Sequence, residues 1–459
     1  MTLKIRDILR RLHRALEKFS AMQIITMVFL FIILGGTLLL MLPCASKSGG
    51  PTKFLTALFT ATSCTCVTGL SLVDTFTHWS GFGQAVILML IQIGGLGFMT
   101  ILMLFFFALG RRIGIKERMV IAQSFGLDKL SGIVKMVKKV LCRTFFLEAV
   151  GAAILTIRFA FQMPFGRALW CGVFHAVSAF CNAGFDILGA VEQGGSLTPY
   201  VADPVVNFTI MALIVIGGLG FFVWEDILTN KRFGKCSVYT KLVLVINAVL
   251  IFGGAALFAV LNWNGSAAYE PMSAAEKLLA SLFQSVTTRT AGFYTVPQSS
   301  LTDASIAVTD VLMFIGGGSG STAGGAKMVT IGVLLLSVFA TARGRSRLTV
   351  FHRTIGADRV KDAVAVVTMM FTGAFLSAIV LSALNGLSMQ ACLYETISAL
   401  ATVGLTTGIT AQVNVVSQLI LIVLMFFGRV GIMTISLGFL LSDGVMERYR
   451  YADTKVLIG

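Results

Sequence analysis

The chain has 459 residues, of which 56% are apolar and only 12% charged, and its mean hydropathy is +0.88. A soluble fold of this length needs far more polar surface, so the composition excludes one and points to a polytopic membrane protein. Lys and Arg number 36 against 21 acidic residues, an excess whose spacing along the chain argues for membrane topology and against a nucleic-acid surface.

Apolar runs of about 20 residues or more lie at roughly 22–42, 82–109, 140–161, 205–228, 242–261, 306–340, 363–384 and 415–441. We read eight spanning helices, because a single segment inside lipid must satisfy its backbone internally. Basic residues crowd positions 4–18, 111–143, 231–241, 343–361 and 448–455, whereas the intervening connections hold only Lys47, Lys53, Arg167 and Lys277. Every second connection is basic. This positive-inside pattern predicts that both termini are cytoplasmic. The first apolar run is long and lacks a small-residue cleavage pattern, so no cleavable signal peptide is expected. The eight cysteines are scattered and the four histidines lack ligand spacing, so the sequence suggests no disulfide framework, no metal site and no enzyme.

Between each odd and even run lies a segment too short to cross a bilayer. The first reads Phe59-Thr-Ala-Thr-Ser-Cys-Thr-Cys-Val-Thr-Gly69-Leu70, and the second Phe174-His-Ala-Val-Ser-Ala-Phe-Cys-Asn-Ala-Gly184-Phe185. The third reads Phe283-Gln-Ser-Val-Thr-Thr-Arg-Thr-Ala-Gly292-Phe293, one residue shorter, and the fourth Tyr394-Glu-Thr-Ile-Ser-Ala-Leu-Ala-Thr-Val-Gly404-Leu405. Each begins with an aromatic, carries Ser or Thr four residues on, and ends in glycine followed by Leu or Phe. Downstream, Ile93-Gly-Gly-Leu-Gly-Phe98 recurs as Ile216-Gly-Gly-Leu-Gly-Phe221. The chain is four copies of one helix, re-entrant loop, helix unit.

The predicted organisation is an all-α polytopic membrane protein whose four units surround a pseudo-fourfold pore. A cytoplasmic N-terminus (1–19) leads into repeat 1 (20–110, pore loop 57–71), a cytoplasmic connection (111–137) and repeat 2 (138–230, pore loop 172–187). Repeat 3 (231–342) contains pore loop 281–295 and an intramembrane gating loop at 316–327; repeat 4 (343–443, pore loop 392–408) precedes a cytoplasmic C-terminus (444–459). Re-entrant loops at membrane depth need cover from protein or water, so four of them on the outer side should converge on one axis. There the C-terminal, partially negative ends of the short helices favour a cation.

With Thr68-Gly69, Asn182-Ala183-Gly184-Phe185, Arg289-Thr290-Ala291-Gly292-Phe293 and Thr402-Val403-Gly404 in these positions, the chain resembles the bacterial Trk/Ktr/HKT potassium transporter superfamily. Eight spans beginning almost at the N-terminus look most like its KtrB type of membrane subunit. The resemblance covers nearly the whole chain. It implies a potassium-translocating subunit of the bacterial plasma membrane, homodimeric, regulated by a cytoplasmic RCK-type ring (KtrA-like) that carries the nucleotide. Potassium is then the transported ion, with no covalently bound cofactor.

Backbone carbonyls are the expected ion ligands, at Val67 and Thr68, Asn182 and Ala183, Thr290 and Ala291, and Thr402 and Val403, each pair followed by its glycine (Gly69, Gly184, Gly292, Gly404). Only the fourth loop has the complete Thr-Val-Gly, and Gly408 comes too late to extend it. Fewer well-formed sites and less strict exclusion of sodium are therefore expected. In the sixth span, Gly316, Gly317, Gly318, Ser319, Gly320, Ser321, Thr322, Gly324, Gly325 and Lys327 lack the order of a phosphate loop. Glycine costs about 1 kcal/mol per helical residue, so this helix should break, as a gating loop below the filter or as a plain kink. Arg429 stands where the first two units have Gly95 and Gly218. A mid-span charge reads as functional, facing the pore below the filter or pairing with an acid. Arg289 and Glu395, in neighbouring pore segments, are expected to pair behind the filter, whereas Glu148 and Arg158 have no evident partner. Two rival classes stay open at this level: a sodium/potassium symport-type carrier, and the potassium-binding subunit of a pump.

Overall fold

Apolar segments of this length fold as helices because lipid leaves the backbone no other partner, and the computed structural model is helical over most of the residues it describes (21–97, 133–189, 191, 194–345 and 347–431). The first unit comprises α1 (Ala21–Leu40), the short α2 (Phe54–Thr65) and α3 (Gly81–Leu96). The second comprises α4 (Ile133–Ala160), α5 (Phe165–Phe180), α6 (Pro204–Leu219) and α7 (Phe221–Asn230); the third, α8 (Val238–Asn262), α9 (Ala274–Thr287), α10 (Asp303–Phe314) and α11 (Met328–Ala342). An antiparallel hairpin, β1 (Leu348–Val350) and β2 (Arg353–Ile355), precedes α12 (Ala357–Asn385), α13 (Met389–Ala401) and α14 (Val415–Val430) of the fourth. This small hairpin qualifies the all-α expectation. The predicted cytoplasmic N-terminus, the connection up to residue 132 and the C-terminus lie outside the described residues.

Among the described residues, α1, α4, α8 and α12 are long and apolar enough to cross a membrane by themselves, and a bent α6–α7 pair makes a fifth candidate. Of the eight runs expected to span, four hold one long helix each, and the other four hold shorter or broken helices among the described residues. The run read as one span at 205–228 is two helices meeting at 92°. Its break falls at Gly220, whose φ of +102° no other residue adopts comfortably, and α3 and α14 end at Gly97 and Gly431 in the same backbone region. Residues 98–109 and 432–441 of the corresponding runs lie outside the described residues.

Each second helix starts on a polar cap, whose side chain occupies a backbone N–H that the first turn leaves unpaired. Ser80 accepts from Gly83 N, Asp203 from Val205 and Val206, Thr302 from Ser305, and Asn414 from Ser417. The short helices α2, α5, α9 and α13 lie in the buried centre, where each buries a serine (Ser63, Ser178, Ser285 and Ser398), while Phe31, Phe146, Phe252 and Phe371 of the long helices are exposed. Polar interior and apolar exterior are what a lipid solvent selects.

Two charges without an evident partner in the sequence acquire one here. Arg158 pairs with the α6 cap residue Asp203 at 2.5 Å, and Glu148 accepts from Gln92 Nε2 at 3.0 and 3.2 Å. Glu225 on α7 is held by Lys139 and Arg143 of α4, both at 2.6 Å, which fixes the bent segment against the long first helix of its own unit.

Candidate functional site

The hydroxyl four residues after each aromatic pins its loop. Ser63 Oγ accepts from Gly69 N and Ser398 Oγ from Gly404 N, both at 3.1 Å. In the other two loops the bond runs from hydroxyl to carbonyl: Ser178 Oγ donates to Phe185 O at 2.7 Å, and Thr287 Oγ1 donates to Phe293 O. These bonds replace the helix ladder where the backbone reverses. Leaving a buried N–H unpaired costs about 1–3 kcal/mol, so Ser398→Ala is expected to raise the potassium Km of uptake a few-fold. A concentration series of rubidium uptake checks this; an unchanged Km would show that the loop holds its shape without the bond.

Val67, Asn182, Thr290 and Thr402, each two residues before the loop glycine, all have positive φ, between 53° and 63°. Non-glycine residues rarely adopt this conformation, and its recurrence in four loops gives four copies of one turned backbone. The glycines follow with φ of +100° (Gly69), +68° (Gly184), +81° (Gly292) and +92° (Gly404).

These glycines meet in a closed cycle. A Cβ at Gly69 would stand 2.6 Å from the Ala183 carbonyl oxygen, one at Gly184 would be 2.7 Å from Ala291 O, and one at Gly292 would be 2.6 Å from Val403 O. At Gly404 it would collide with Thr68 O and lie 2.9 Å from Gly69 Cα, which returns the cycle to the first loop. All four loops thus bring a glycine and the preceding carbonyl to one place. Val67, Thr68, Asn182, Ala183, Thr290, Ala291, Thr402 and Val403 are all buried there, and the hydroxyls of Thr68, Thr290 and Thr402 have no hydrogen-bond partner among the described residues.

The second helices close on this centre through small residues. Gly94, Gly217 and Gly428 lie against the carbonyls of Thr65, Phe180 and Leu400, each four residues before its loop glycine, and a methyl group at any of them would strike that oxygen.

The glycine-rich stretch breaks the sixth span as expected. Helix α10 ends at Phe314 and α11 starts at Met328, with Ile315 and Ala326 paired as a parallel bridge between them. The loop packs against the second unit's helix end, where Gly318 N donates to Gly218 O at 2.9 Å and Thr322 N to Gly217 O at 3.3 Å. Gly324 lies against the Thr402 side chain. Lys327 ends the loop and turns back, its Nζ donating to Ala323 O at 2.7 Å and Gly324 O at 3.4 Å.

Arg429 reaches the same loop. Its guanidinium donates to Thr322 O, and across the centre to Gly94 O and, at 3.1 Å, Gly95 O. No acid pairs with it among the described residues. Asn182 joins two layers: Nδ2 donates to Arg289 O in the third loop at 3.0 Å, and Oδ1 accepts from Thr322 Oγ1 at 3.4 Å. Sequence reasoning used only the Asn182 carbonyl. Its amide, the sole such side chain at that position of the four loops, was the available signal.

The expected Arg289–Glu395 pair does not form. Glu395 accepts from Thr406 Oγ1 at 2.8 Å and from Thr410 Oγ1, both in its own unit, while the Arg289 guanidinium has no hydrogen-bond partner among the described residues. Two hydroxyls a few turns downstream satisfy the carboxylate without a counter-charge.

Comparison with known proteins places these features in a group. The TrkH family profile, described as "Cation transport protein", matches residues 13–448. The potassium/sodium uptake protein NtpJ of Enterococcus hirae is 38% identical over 97% of this chain and 99% of its own length. Ktr system potassium uptake protein B of Bacillus subtilis is 39% identical over 96% and 97% respectively. The crystal structure of the potassium transporter TrkH from Vibrio parahaemolyticus shares the fold, with a TM-score of 0.68 at 19% identity over 94% of this chain and 86% of that one.

Proposed function

Because the chain belongs to the TrkH cation transport protein family, we propose that it is the potassium-translocating membrane subunit of a Ktr-type uptake system. The observation that carries the reading is the closed cycle of loop glycines and carbonyls, Gly69 to Ala183, Gly184 to Ala291, Gly292 to Val403 and Gly404 to Thr68. Four such loops form a pseudo-fourfold filter in which carbonyl oxygens replace the hydration shell of potassium. Unpartnered hydroxyls at Thr68, Thr290 and Thr402 add polar oxygens that a dehydrated cation relieves. The short helices direct their negative C-terminal ends at the same place.

Below this filter the loop at 316–327, tied to Arg429 and Asn182, acts as the gate. Loops fixed on one face favour a pore over a carrier, which usually uses inverted halves. Potassium enters from outside, and both termini are cytoplasmic by the alternation of basic connections. The subunit works as a homodimer with an RCK-type ring that carries the nucleotide. The Enterococcus relative's name couples potassium with sodium, in keeping with a filter whose Thr-Val-Gly is complete only in the fourth loop. Expression in an uptake-deficient bacterium is expected to restore growth at limiting potassium, more strongly with an RCK partner than without. No rescue in either case would count against potassium uptake, and equal rescue in both would remove the regulated-subunit reading.

A further inference from the structure

The gating loop is held at a second point, away from Arg429. Tyr239 lies in the first turn of α8, and its hydroxyl both accepts from Ser319 N at 2.8 Å and donates to Ser319 O at 3.2 Å. A phenol carries one donor and an acceptor, and here both are spent on one peptide segment eighty positions away. Gly318 and Gly320 flank that segment. At the other end of α7, Phe221 N donates to Gly320 O at 3.0 Å, so the loop is held at two adjacent residues, Ser319 by the start of α8 and Gly320 by the start of α7.

The corner itself is braced. Asp226 accepts from Ser237 N and Oγ, both at 2.9 Å, and from Asn230 Nδ2 at 2.6 Å; the Tyr239 ring packs edge-on against Phe222 at 6.0 Å. Phe233 in the intervening turn meets Phe351 at the hairpin tip, with Lys241 near both rings. A continuous chain of packed groups therefore runs from the hairpin, through the corner, to Ser319.

We propose that Tyr239 is a positioning residue of the gate: its hydroxyl clasps the Ser319 backbone, holds the loop beneath the filter, and releases the loop when the α7–α8 corner moves. The proposal rests on the gating role of residues 316–327. Glycine on either side of the clasped residue leaves the backbone free to swing once the clasp opens, while Arg429 and Asn182 retain the far end at Thr322. The clasp is made of two neutral hydrogen bonds, each of modest net strength, which suits a contact that must be broken in normal operation.

The test uses the full-length protein reconstituted in vesicles, with rubidium uptake measured against concentration. Tyr239→Phe removes the hydroxyl and keeps the ring against Phe222. It is expected to raise the maximal rate about threefold or more while Km stays within about twofold, because the filter is untouched. A merely structural loss would lower the rate and the melting temperature instead. An unchanged or reduced maximal rate overturns the clasp. The same substitution in a protein lacking residues 317–325 is expected to have no further effect, and a persisting effect there also overturns it. Removal of 317–325 separates the two claims: unchanged flux on removal sinks the gate itself, whereas raised flux on removal with an inert Tyr239→Phe sinks only the clasp.

Discussion

Gly404→Ala is expected to raise the potassium concentration for half-maximal uptake by about tenfold or more. Alanine at φ +92° is strained, at roughly 1–2 kcal/mol for the left-handed region, and its methyl group would collide with Thr68 O and approach Gly69 Cα to 2.9 Å. The backbone must shift. About 1.4 kcal/mol is a factor of ten in affinity, and displacement of Thr68 O damages the first loop as well as the fourth. Gly408 provides the control within the same segment. It has a similar φ of +97°, but a Cβ there would meet nothing within 4 Å, so Gly408→Ala should leave Km near the wild-type value. Rubidium uptake by potassium-depleted cells measures both. Equal effects of the two substitutions would mean that backbone strain, and not closeness to the other loops, decides ion affinity.

Arg429→Ala is expected to accelerate uptake about tenfold. The guanidinium ties Thr322 of the 316–327 loop to Gly94 and Gly95 of the first unit's second helix, and hydrogen bonds to a charged group are worth about 1.5–3 kcal/mol each. Their loss frees the loop from the opposite wall. On the proposed placement beside the ion path, its positive charge also opposes the ion: for a separation of about 8 Å and an effective dielectric of about 20, the repulsion is roughly 2 kcal/mol, enough for a tenfold change in rate. Arg429→Lys separates the two effects, since lysine keeps the charge and lacks the planar fork that spans several carbonyls. It should fall between wild type and Arg429→Ala. Initial rates at saturating rubidium are the readout, and a rate equal to wild type in Arg429→Ala would remove this residue from the ion path.

The four turned loops were legible because they recur. One Thr-Val-Gly is an ordinary membrane-helix tripeptide, but four segments with an aromatic, a hydroxyl four residues on and a closing glycine repeat both the pinning bond and the turned backbone. The helix break between Phe314 and Met328 was legible from glycine content alone. The turn at Gly220 was not, because Ile216-Gly-Gly-Leu-Gly-Phe221 is apolar throughout and only its last glycine leaves the helix. Side-chain partnerships across units were the least accessible. Glu395 and Arg289 are an attractive pair by charge, yet Thr406 and Thr410 reach the carboxylate from eleven and fifteen residues downstream. The bond of Asn182 to Thr322, and that of Tyr239 to Ser319, link residues far apart in the chain, where periodicity carries no signal.

The most direct measurement is diffraction from crystals of the full-length protein soaked in a thallium salt, a heavy substitute for potassium. The account predicts an anomalous peak on the axis of the four loops, within coordination distance of the carbonyl oxygens of Thr68, Ala183, Ala291 and Val403, and a weaker or absent peak in Gly404→Ala. A saturating soak that leaves this centre empty while thallium binds elsewhere in the membrane region would contradict it.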